Sequence, residues 1–428
     1  MATNNTVDTL DGNFKRIYAD RMEDLIPKHA KIFKSTKFRD NKKLGDTYEQ
    51  PVILTNEHGV TYAAAGSGAF ALETPIAMSM KNARVPSSQV LLRSRIDYES
   101  ASKASRGGDS SFRRATELVV ENMTGSIGHR LESDALYGGT GIGNTSSSVN
   151  ASATSTVVTI SAASWAIGMW AGAENAKLNF MDGASYVGGA TYDATDAVFT
   201  ITSVDADNKA ITVSGTATGI TNLDADIAST GTNIAIYWYG SYGNQMYGLD
   251  KIMTNTGTLF GISAATYGLW KSTQYNISGA ISLLKLAKST VNAIGKGGLD
   301  EDVVCWIAPQ PWAVLNAELG AVQRYDSSYS AKKADWAFEK DAINIHTHSG
   351  KMHVMAHPMV KGGEGFIYPT KCLSRIGSSD VTFNNPGVGD RFFRELSDNA
   401  GFELRCYSDQ AIFIDRPAVC TKLYGITY

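Results

Sequence analysis

The sequence is poor in the features on which disulfide-rich and membrane proteins depend. No apolar run approaches about eighteen residues, and the four cysteines form no CxxC pair. The N-terminal stretch MATNNTVDTLDGNFKRIYADRMEDLIP lacks an apolar signal-peptide core. We therefore expect no transmembrane helix and buried free thiols in a reducing cytoplasm. These thiols belong to Cys305, Cys372, Cys406 and Cys420.

Enzymatic signatures are also absent. The chain has no GxSxG, no HExxH, no convincing Ser/His/Asp order and no carboxylate pair of the glycosidase kind. The net charge of −3 implies no strong polyelectrolyte partner. We predict that the protein is not an enzyme and that it has no catalytic, cofactor-binding or metal-binding residues.

Three local patterns resemble binding sites only superficially. Gly138–Gly143 follows a helix and lacks the GKS/T ending of a phosphate loop. Asp205–Asn208 lacks the glycine and closing glutamate of a calcium loop, so we predict a hairpin turn there. Four histidines lie within twelve residues without a cysteine or enough acids to complete a zinc site. They are His346, His348, His353 and His357.

The chain does contain enough apolar residues, 43%, to form a packed core. Its length of 428 residues is enough for two or three domains. Its longest periodic stretch, Asp109–Tyr137, predicts one helix about 40 Å long. Asp109 or Ser110 can cap the start, Gly138 and Gly139 can end it, and the internal Gly125 and Gly128 indicate a bend or a close neighbour. Its apolar face comprises Phe112, Ala115, Val119, Met123, Ile127 and Leu131.

The residues before this helix predict a basic arm and a long β excursion. Residues 14–43 carry ten basic and four acidic side chains. This excess of basic side chains has two explanations. The segment is either a solvent-exposed face or an arm that lies on nucleic acid or on an acidic surface. In residues 46–105, two extended runs flank the lightly charged stretch GVTYAAAGSGAFALETPIAMSM. A hairpin of this kind either folds back on its own core or pairs with another chain.

The residues after the helix divide into two parts. From Asn144 to Ala235 there are eight acidic and two basic residues among short strands, which predicts an inserted, acidic all-β module. Residues 246–428 predict a mixed α/β region. It begins with a helix over 279–298 whose buried face would contain Ile281, Leu284, Ala287, Val291 and Ile294. The elements predicted after it are a strand at 302–309, a helix at 309–320, a hairpin at 343–358, a strand at 363–369, a loop at 378–393 and two strands within 401–426.

This order of elements resembles the major capsid proteins of tailed double-stranded DNA phages, the Hong Kong ninety-seven fold family. The segments that carry the resemblance are RIYADRMEDLIP, the hairpin, SSFRRATELVVENMTGSIGHRLESDALYG, GLDKIMTNTGTLFGI, DVVCWIAPQPWAVLNAELGAVQRYD, GKMHVMAHPMVKGGEGFIYP and FELRCYSDQAIFIDRPAVC. Their order, more than any single motif, is typical of the family, and only the module at 140–245 lies outside it.

The resemblance implies an α+β fold and a structural role. Its implied divisions are an N-terminal arm (1–45), an extended β loop (46–105), a spine helix of the peripheral domain (106–140), an inserted β-rich module (141–245), the peripheral domain continued (246–275), an axial domain (276–375), a peripheral loop and strand (376–410) and a C-terminal axial strand (411–428). The subunit would form hexamers and pentamers of an icosahedral virion shell, assembled in the host cytoplasm around double-stranded DNA. The extended loop would lie over a neighbouring subunit.

Other partners implied are a separate scaffolding protein, a portal and decoration proteins, with no membrane. The family's scaffolding segment is missing before the arm, so scaffolding is separate, has been removed, or is not needed. A lysine–asparagine cross-link would require Lys81 and Asn384 or Asn385, and we do not predict one. The module would decorate the outer surface or touch an adjacent capsomer. Two alternatives remain: an encapsulin-like compartment shell and a secreted β-rich binding protein.

Overall fold

A computed structural model of the chain describes residues 30–40, 47–99, 115–230, 234–323, 342–347, 350–384, 393–396 and 400–428. The α-helices are α1 (Lys31–Ser35), α2 (Ala115–Tyr137), α3 (Ile167–Trp170), α4 (Ala217–Thr230), α5 (Leu249–Met253), α6 (Leu283–Ser289), α7 (Val291–Gly297) and α8 (Pro309–Gln323). Short 3₁₀ turns lie at Thr195–Ala197, Gly268–Trp270, Thr370–Cys372 and Pro417–Val419.

The strands form three main sheets and two small ribbons. In chain order they are β1 (Phe38–Asp40), β2 (Thr47–Ile53), β3 (Met80–Pro86), β4 (Ser88–Asp97), β5 (Gly143–Ser152), β6 (Ser155–Ile160), β7 (Lys177–Asp182), β8 (Ser185–Tyr186), β9 (Phe199–Asp205), β10 (Ala210–Ser214), β11 (Ile234–Trp238), β12 (Thr258–Leu259), β13 (Ile262–Ser263), β14 (Thr273–Ala280), β15 (Val303–Ile307), β16 (Ala342–Thr347), β17 (Gly350–Ala356), β18 (Gly365–Pro369), β19 (Leu373–Thr382), β20 (Phe393–Glu395), β21 (Gly401–Ile414) and β22 (Thr421–Thr427).

Helix α2 confirms the periodicity of the long stretch over the residues described. Met123, Ile127 and Leu131 are at most 5% exposed and lie on one face. The helix ends at Tyr137, and Gly139 follows with a φ of +84°, a conformation that glycine adopts without strain. The predicted cap residues, Asp109 and Ser110, lie outside the described residues. Gly128 lies beside a neighbour, because a Cβ there would be 3.8 Å from the Cβ of Ala30.

The predicted β excursion is shorter than expected. Strands β2 and β3 pair antiparallel from Thr47–Pro86 to Ile53–Met80, but β4 leaves the hairpin and pairs with β21 in a five-stranded sheet. The second of the two predicted extended runs, Val85–Tyr98, is therefore divided between two strands and is not one. The break falls at Pro86, which has no N–H to donate to a continuing ladder. The projecting hairpin comprises residues 47–86.

The acidic module contains a closed barrel. Strands β11, β5, β6, β10, β9 and β7 pair in that order, and β7 also pairs with β11. Each of the six strands therefore has a neighbouring strand on both sides. Closure removes the free edges that would otherwise invite pairing with other chains. The prediction of an all-β module was wrong, because α4 packs Ile220, Leu223 and Ile227 against the strands. These three residues follow a spacing of three and four, which favours a helix.

The third main sheet has the order β14-β22-β18-β15-β17-β16. The predicted strands at 302–309, 363–369 and 401–426 and the hairpin at 343–358 are present in β15, β18, β21, β22 and the β16–β17 pair, and α8 confirms the helix at 309–320. The predicted loop at 378–393 begins later, because β19 continues to Thr382.

The helix predicted over 279–298 was wrong in extent and partly wrong in its buried face: Ile281 is buried and Ile294 packs against the core, but Leu284 and Val291 do not. Strand β14 includes Ala280, Ser282 caps α6, and the helix breaks at Thr290 before α7. The break at Thr290 changes which positions of the two helices face the core. As a result Leu284 and Val291 are 63% and 58% exposed, whereas Leu286, Ser289 and Ala293 are buried.

Replacing Phe180 by Ala tests the barrel core. Phe180 is fully buried and meets Phe199 edge to face at 5.1 Å between ring centroids. Because the cavity would lie in a closed barrel that cannot collapse freely, we expect a loss of about 3–5 kcal/mol in the free energy of unfolding, measured by urea denaturation. The control is Val149→Ala on β5, where the side chain is 66% exposed and the change should stay within about 0.5 kcal/mol. Equal losses in both variants would contradict the barrel assignment.

Candidate assembly surfaces

The tip of the hairpin is an apolar surface without a partner in the described chain. Tyr62, Leu72 and Val60 are 92%, 81% and 67% exposed. Five further apolar side chains near the tip are exposed: Ile53, Phe70, Ile76, Met78 and Met80. Eight exposed apolar side chains within one short segment of a hairpin are typical of a protein-binding surface.

The base of the hairpin, by contrast, is anchored in the body. Ala83 and Val85 of β3 are buried, and the N–H of Arg84 donates to the carbonyl of Phe260 at 2.8 Å. Tyr48 of β2 meets Phe413 edge to face at 6.1 Å. The hairpin is thus held at one end and presents its apolar tip at the other.

The segment before the hairpin is tied to the body by a buried carboxylate. Glu132, on α2, accepts hydrogen bonds from the N–H groups of Ile32 and Phe33, both at 2.8 Å, and its oxygens are inaccessible to solvent. These N–H groups belong to the first turn of α1 and have no acceptor within that helix. Glu132 therefore caps α1 across a hundred residues of sequence.

His357 completes the bonding of Glu132. Its Nε2 lies 2.7 Å from a Glu132 oxygen, and its Nδ1 accepts the N–H of Met359 at 3.1 Å. Because Nδ1 accepts, the proton is on Nε2, and the imidazole is the neutral tautomer that donates to the carboxylate. Three donors thus surround one buried negative charge.

Arg375 anchors the same segment a second time. Its guanidinium donates to the Thr36 carbonyl at 3.1 Å and to Gln410 at 3.1 Å, and it lies 3.9 Å above the ring of Phe33. It also pairs with Asp380 at 2.9 Å. We call residues 30–40, which Glu132 and Arg375 hold against the body, the anchored segment. It exposes a basic stripe, which consists of Lys31, Lys34, Lys37 and Arg39.

The barrel is joined tightly to the body. Main-chain hydrogen bonds run from Gly168 to Pro358, from Gly362 to Trp165 and from Gly363 to Ala163, at 2.9–3.1 Å. A Cβ on Gly168 would lie 2.7 Å from the Cβ of Pro358, so only glycine fits this contact.

Two aromatic contacts extend this junction. Trp165 and Trp170 stack with centroids 6.2 Å apart, and Arg130 of α2 lies 3.4 Å above the ring of Trp238. The barrel therefore packs against α2 and against residues 357–364 and is not suspended on a linker.

Buried charges lie under the same junction. Lys422 pairs with Asp250 and with Glu364, the latter at 3.1 Å. Lys361 donates to the Gly141 carbonyl at 3.0 Å and lies 4.1 Å above the ring of Tyr137. Burial raises the pKa of Glu364, while the neighbouring lysines oppose that shift. Each of these lysines thus meets an opposite charge, a carbonyl or a ring, which offsets the cost of its burial.

The four histidines have ordinary surroundings where they are described. His346 is exposed, His353 bonds to Asn344, and His357 bonds to Glu132, while His348 lies outside the described residues. Within the described ranges, no cluster of three or more metal-ligating side chains occurs. Sequence reasoning missed the Glu132–His357 pair, because 225 residues separate the partners and no local spacing links them.

The other local patterns agree with their structural interpretations. Gly138–Gly143 connects α2 to β5, and a Cβ at Gly138 would lie 2.0 Å from the Met246 carbonyl. Asp205–Asn208 turns between β9 and β10, where Asp205 accepts the N–H groups of Asp207 and Asn208 at 3.1 Å. All four cysteines are buried and free. In the part of the chain that the structure covers, no helix is long and apolar enough to cross a membrane.

The architecture places the chain in a structural class: the fold is that of a phage capsid shell protein. The particular structure that supports this is the asymmetric unit of the cyanophage A-1(L) capsid. It matches with a TM-score of 0.55 and 11% sequence identity, over 99% of this chain and 100% of that chain. At this identity the likeness establishes the fold alone.

Two further solved structures match at lower TM-scores. The capsid of the native GTA particle matches at 0.49 with 7% identity over 100% of both chains. The holo-SrpI encapsulin complex of Synechococcus elongatus matches at 0.43 with 7% identity, over 100% of this chain and 99% of that one. No protein-family model matches the chain, and no curated protein matches its sequence.

Removing the Glu132 carboxylate should release the anchored segment. Glu132→Ala leaves three buried donors unpaired, so we expect a loss of about 3–5 kcal/mol in the free energy of unfolding and faster trypsin cleavage after Lys31 and Lys34. Glu132→Gln keeps one acceptor oxygen and should lose less. The control is Glu121→Ala at an exposed position of the same helix. Unchanged cleavage in Glu132→Ala would contradict the proposed cap.

Asp134 should make stability depend on pH. Burial raises its pKa from 3.8 to about 7, although Arg130 opposes this shift. The folded state therefore keeps the proton while the unfolded chain loses it. The corresponding stability is complete below pH 4 and is lost as pH rises toward 7, by at most about 4 kcal/mol. Asp134→Asn should remove this part of the pH dependence between pH 4 and 8, measured by urea denaturation. An unchanged slope would show that Asp134 is ionised in the folded protein.

Proposed function

We propose that the chain is the major shell subunit of a tailed double-stranded DNA phage capsid, with the Hong Kong ninety-seven fold and no enzymatic activity. It would form hexamers and pentamers of an icosahedral virion shell in the host cytoplasm. The observation that carries the proposal is the hairpin, which is rigidly rooted in the body and presents an exposed apolar tip. In a fold shared with a capsid protein, a second subunit is the partner that would cover such a tip.

The parts of the fold take roles under this proposal. Residues 1–45 act as the arm, and residues 47–86 act as the extended loop. Helix α2 acts as the spine of the peripheral domain. The six-stranded sheet that contains β14 and β22, together with α6, α7 and α8, acts as the axial domain. The barrel acts as an additional module. Its tight junction with α2 and with residues 357–364 supports a role in stiffening the subunit, in addition to any contact it makes outside the subunit.

The basic stripe supports DNA as the content of the shell. Lys31, Lys34, Lys37 and Arg39 are all exposed on one anchored segment, while the module and the net charge of the chain are acidic. Cations held at fixed positions can offset phosphate charge without reading sequence. Contacts with scaffolding, portal or decoration proteins remain proposals from the resemblance.

Placing a charge on the tip should block assembly without unfolding the subunit. Leu72→Asp puts a carboxylate where we expect a buried intersubunit contact, so shells and capsomer rings should disappear in negative-stain microscopy and sedimentation. The urea midpoint of the subunit should not change, because Leu72 is already exposed. Val149→Asp, on an exposed part of the barrel, is the matched control.

Shells formed by Leu72→Asp at the wild-type yield would contradict the role of the tip. A wild-type chain that stays monomeric even with co-expressed scaffold would contradict the shell function itself. The contents of particles purified from infected or expressing cells then distinguish a capsid from an encapsulin-like shell. Nuclease-protected DNA supports the capsid, and a co-purifying enzyme supports the encapsulin-like alternative.

A further inference from the structure

Three arginines converge on one buried carboxylate on the open face of the β4–β21 pair. The Nε of Arg93 lies 2.8 Å from a Glu403 oxygen, the Nε of Arg95 lies 3.7 Å from the same oxygen, and Arg405 binds the other oxygen through its Nε. The Glu403 side chain is 3% exposed, whereas the arginines are 46%, 52% and 39% exposed. We call Arg93, Arg95 and Arg405 the arginine face.

The strand register explains why these side chains meet. Arg93 lies opposite Arg405, and Arg95 lies opposite Glu403, so the four side chains share one face of the sheet. Two cations directly opposite each other are unfavourable unless an anion lies between them. Hydrogen bonds from Arg405 and Arg93 lower the pKa of Glu403, so the carboxylate is ionised and supplies that anion.

One carboxylate does not balance three guanidinium groups. The arginine face retains two positive charges, three from the arginines less one from Glu403. Arg394, paired with Glu403 on β20, and Asp97, two residues after Arg95, add one charge of each sign and leave the excess unchanged. Because each arginine meets Glu403 through Nε, its two terminal nitrogens are not the atoms paired with that carboxylate. A guanidinium held in this way is prepared to bind a further carboxylate with two parallel hydrogen bonds.

We infer that the arginine face is the receptor for the acidic hairpin tip of a second copy of this chain, an inference that rests on the proposed shell function. Residues 55–79 contain Glu57 and Glu73 and no lysine or arginine. Both glutamates are exposed, and within the described chain neither has an ion pair. The apolar residues of the tip would pack against Leu91, which is 55% exposed on the same face as Arg93.

The exposed apolar residue beside the arginines favours a protein partner over nucleic acid. Arginine next to exposed apolar residues such as Leu91 is typical of protein interfaces. A contact between a tip and a different patch on the next copy is head-to-tail, and such contacts generate rings when the rotation closes. That is the symmetry of a capsomer.

Cysteine cross-linking tests the contact. All four natural cysteines are buried, so a Glu73→Cys/Arg93→Cys double variant carries one new thiol on each proposed partner surface. With a short bismaleimide we expect a ladder of covalent oligomers on denaturing gels from assembled particles. The single variants control for tip-to-tip and face-to-face products. A Glu73→Cys/Val149→Cys variant controls for random collision, since Val149 is equally accessible on the barrel.

A second variant avoids any disturbance of the arginine face. Glu57→Gln/Glu73→Gln removes the charges of the tip and leaves the fold of the body untouched, and we expect at least a tenfold rise in the protein concentration needed for assembly. Glu174→Gln on the barrel should have no effect.

Shells that form normally but give no ladder would overturn this inference and leave the proposed function intact. Failure of the wild-type chain to form any particle would overturn both. If Arg93→Gln/Arg95→Gln/Arg405→Gln lowers the DNA retained in particles while the ladder is absent, the face is a nucleic-acid contact and the inference is wrong.

Discussion

The buried carboxylate of Glu132 is the constraint on which the subunit depends. A charge inside a protein is tolerated only if its hydrogen-bonding capacity is filled. Here three distant parts of the chain meet. Helix α2 carries the carboxylate, and the donors are two N–H groups of α1 and the Nε2 of His357, which follows β17. Because His357 is neutral, the main-chain donors of α1 are needed to stabilise the negative charge. The segment before the hairpin is therefore part of the core and not an appendage to it.

Much of the body is packed within one subunit, because the barrel closes on itself, Lys422 pairs with Asp250 and Glu364, and the cysteines are buried. Two described surfaces face solvent instead: the apolar, acidic tip of the hairpin and the arginine face on β4 and β21. Exposed patches of opposite charge on different parts of one subunit meet a physical requirement for head-to-tail association.

Much of the local structure was predictable, and the two failures have different causes. Periodicity identified α2 and its buried face, and the composition of residues 302–309 identified β15. The single helix over 279–298 was wrong because the chain divides it at Thr290, so tertiary packing overrode a continuous local pattern. The module was wrongly predicted to be all-β because the helical spacing of α4 lies inside a region dominated by strands, although that spacing by itself favours a helix.

The sequence by itself determined the elements, the charge bias of the arm and the module, the lack of catalytic motifs and the order that resembles a capsid fold. These properties depend on neighbours a few residues apart, where spacing and side-chain type act directly. Only the tertiary structure decided that the barrel closes, that Glu132 meets α1 and His357, and that three arginines share Glu403. Apart from the Arg405–Glu403 pair, these contacts join residues that lie far apart in the sequence, and strand register and helix packing select them among many arrangements that the sequence alone allows.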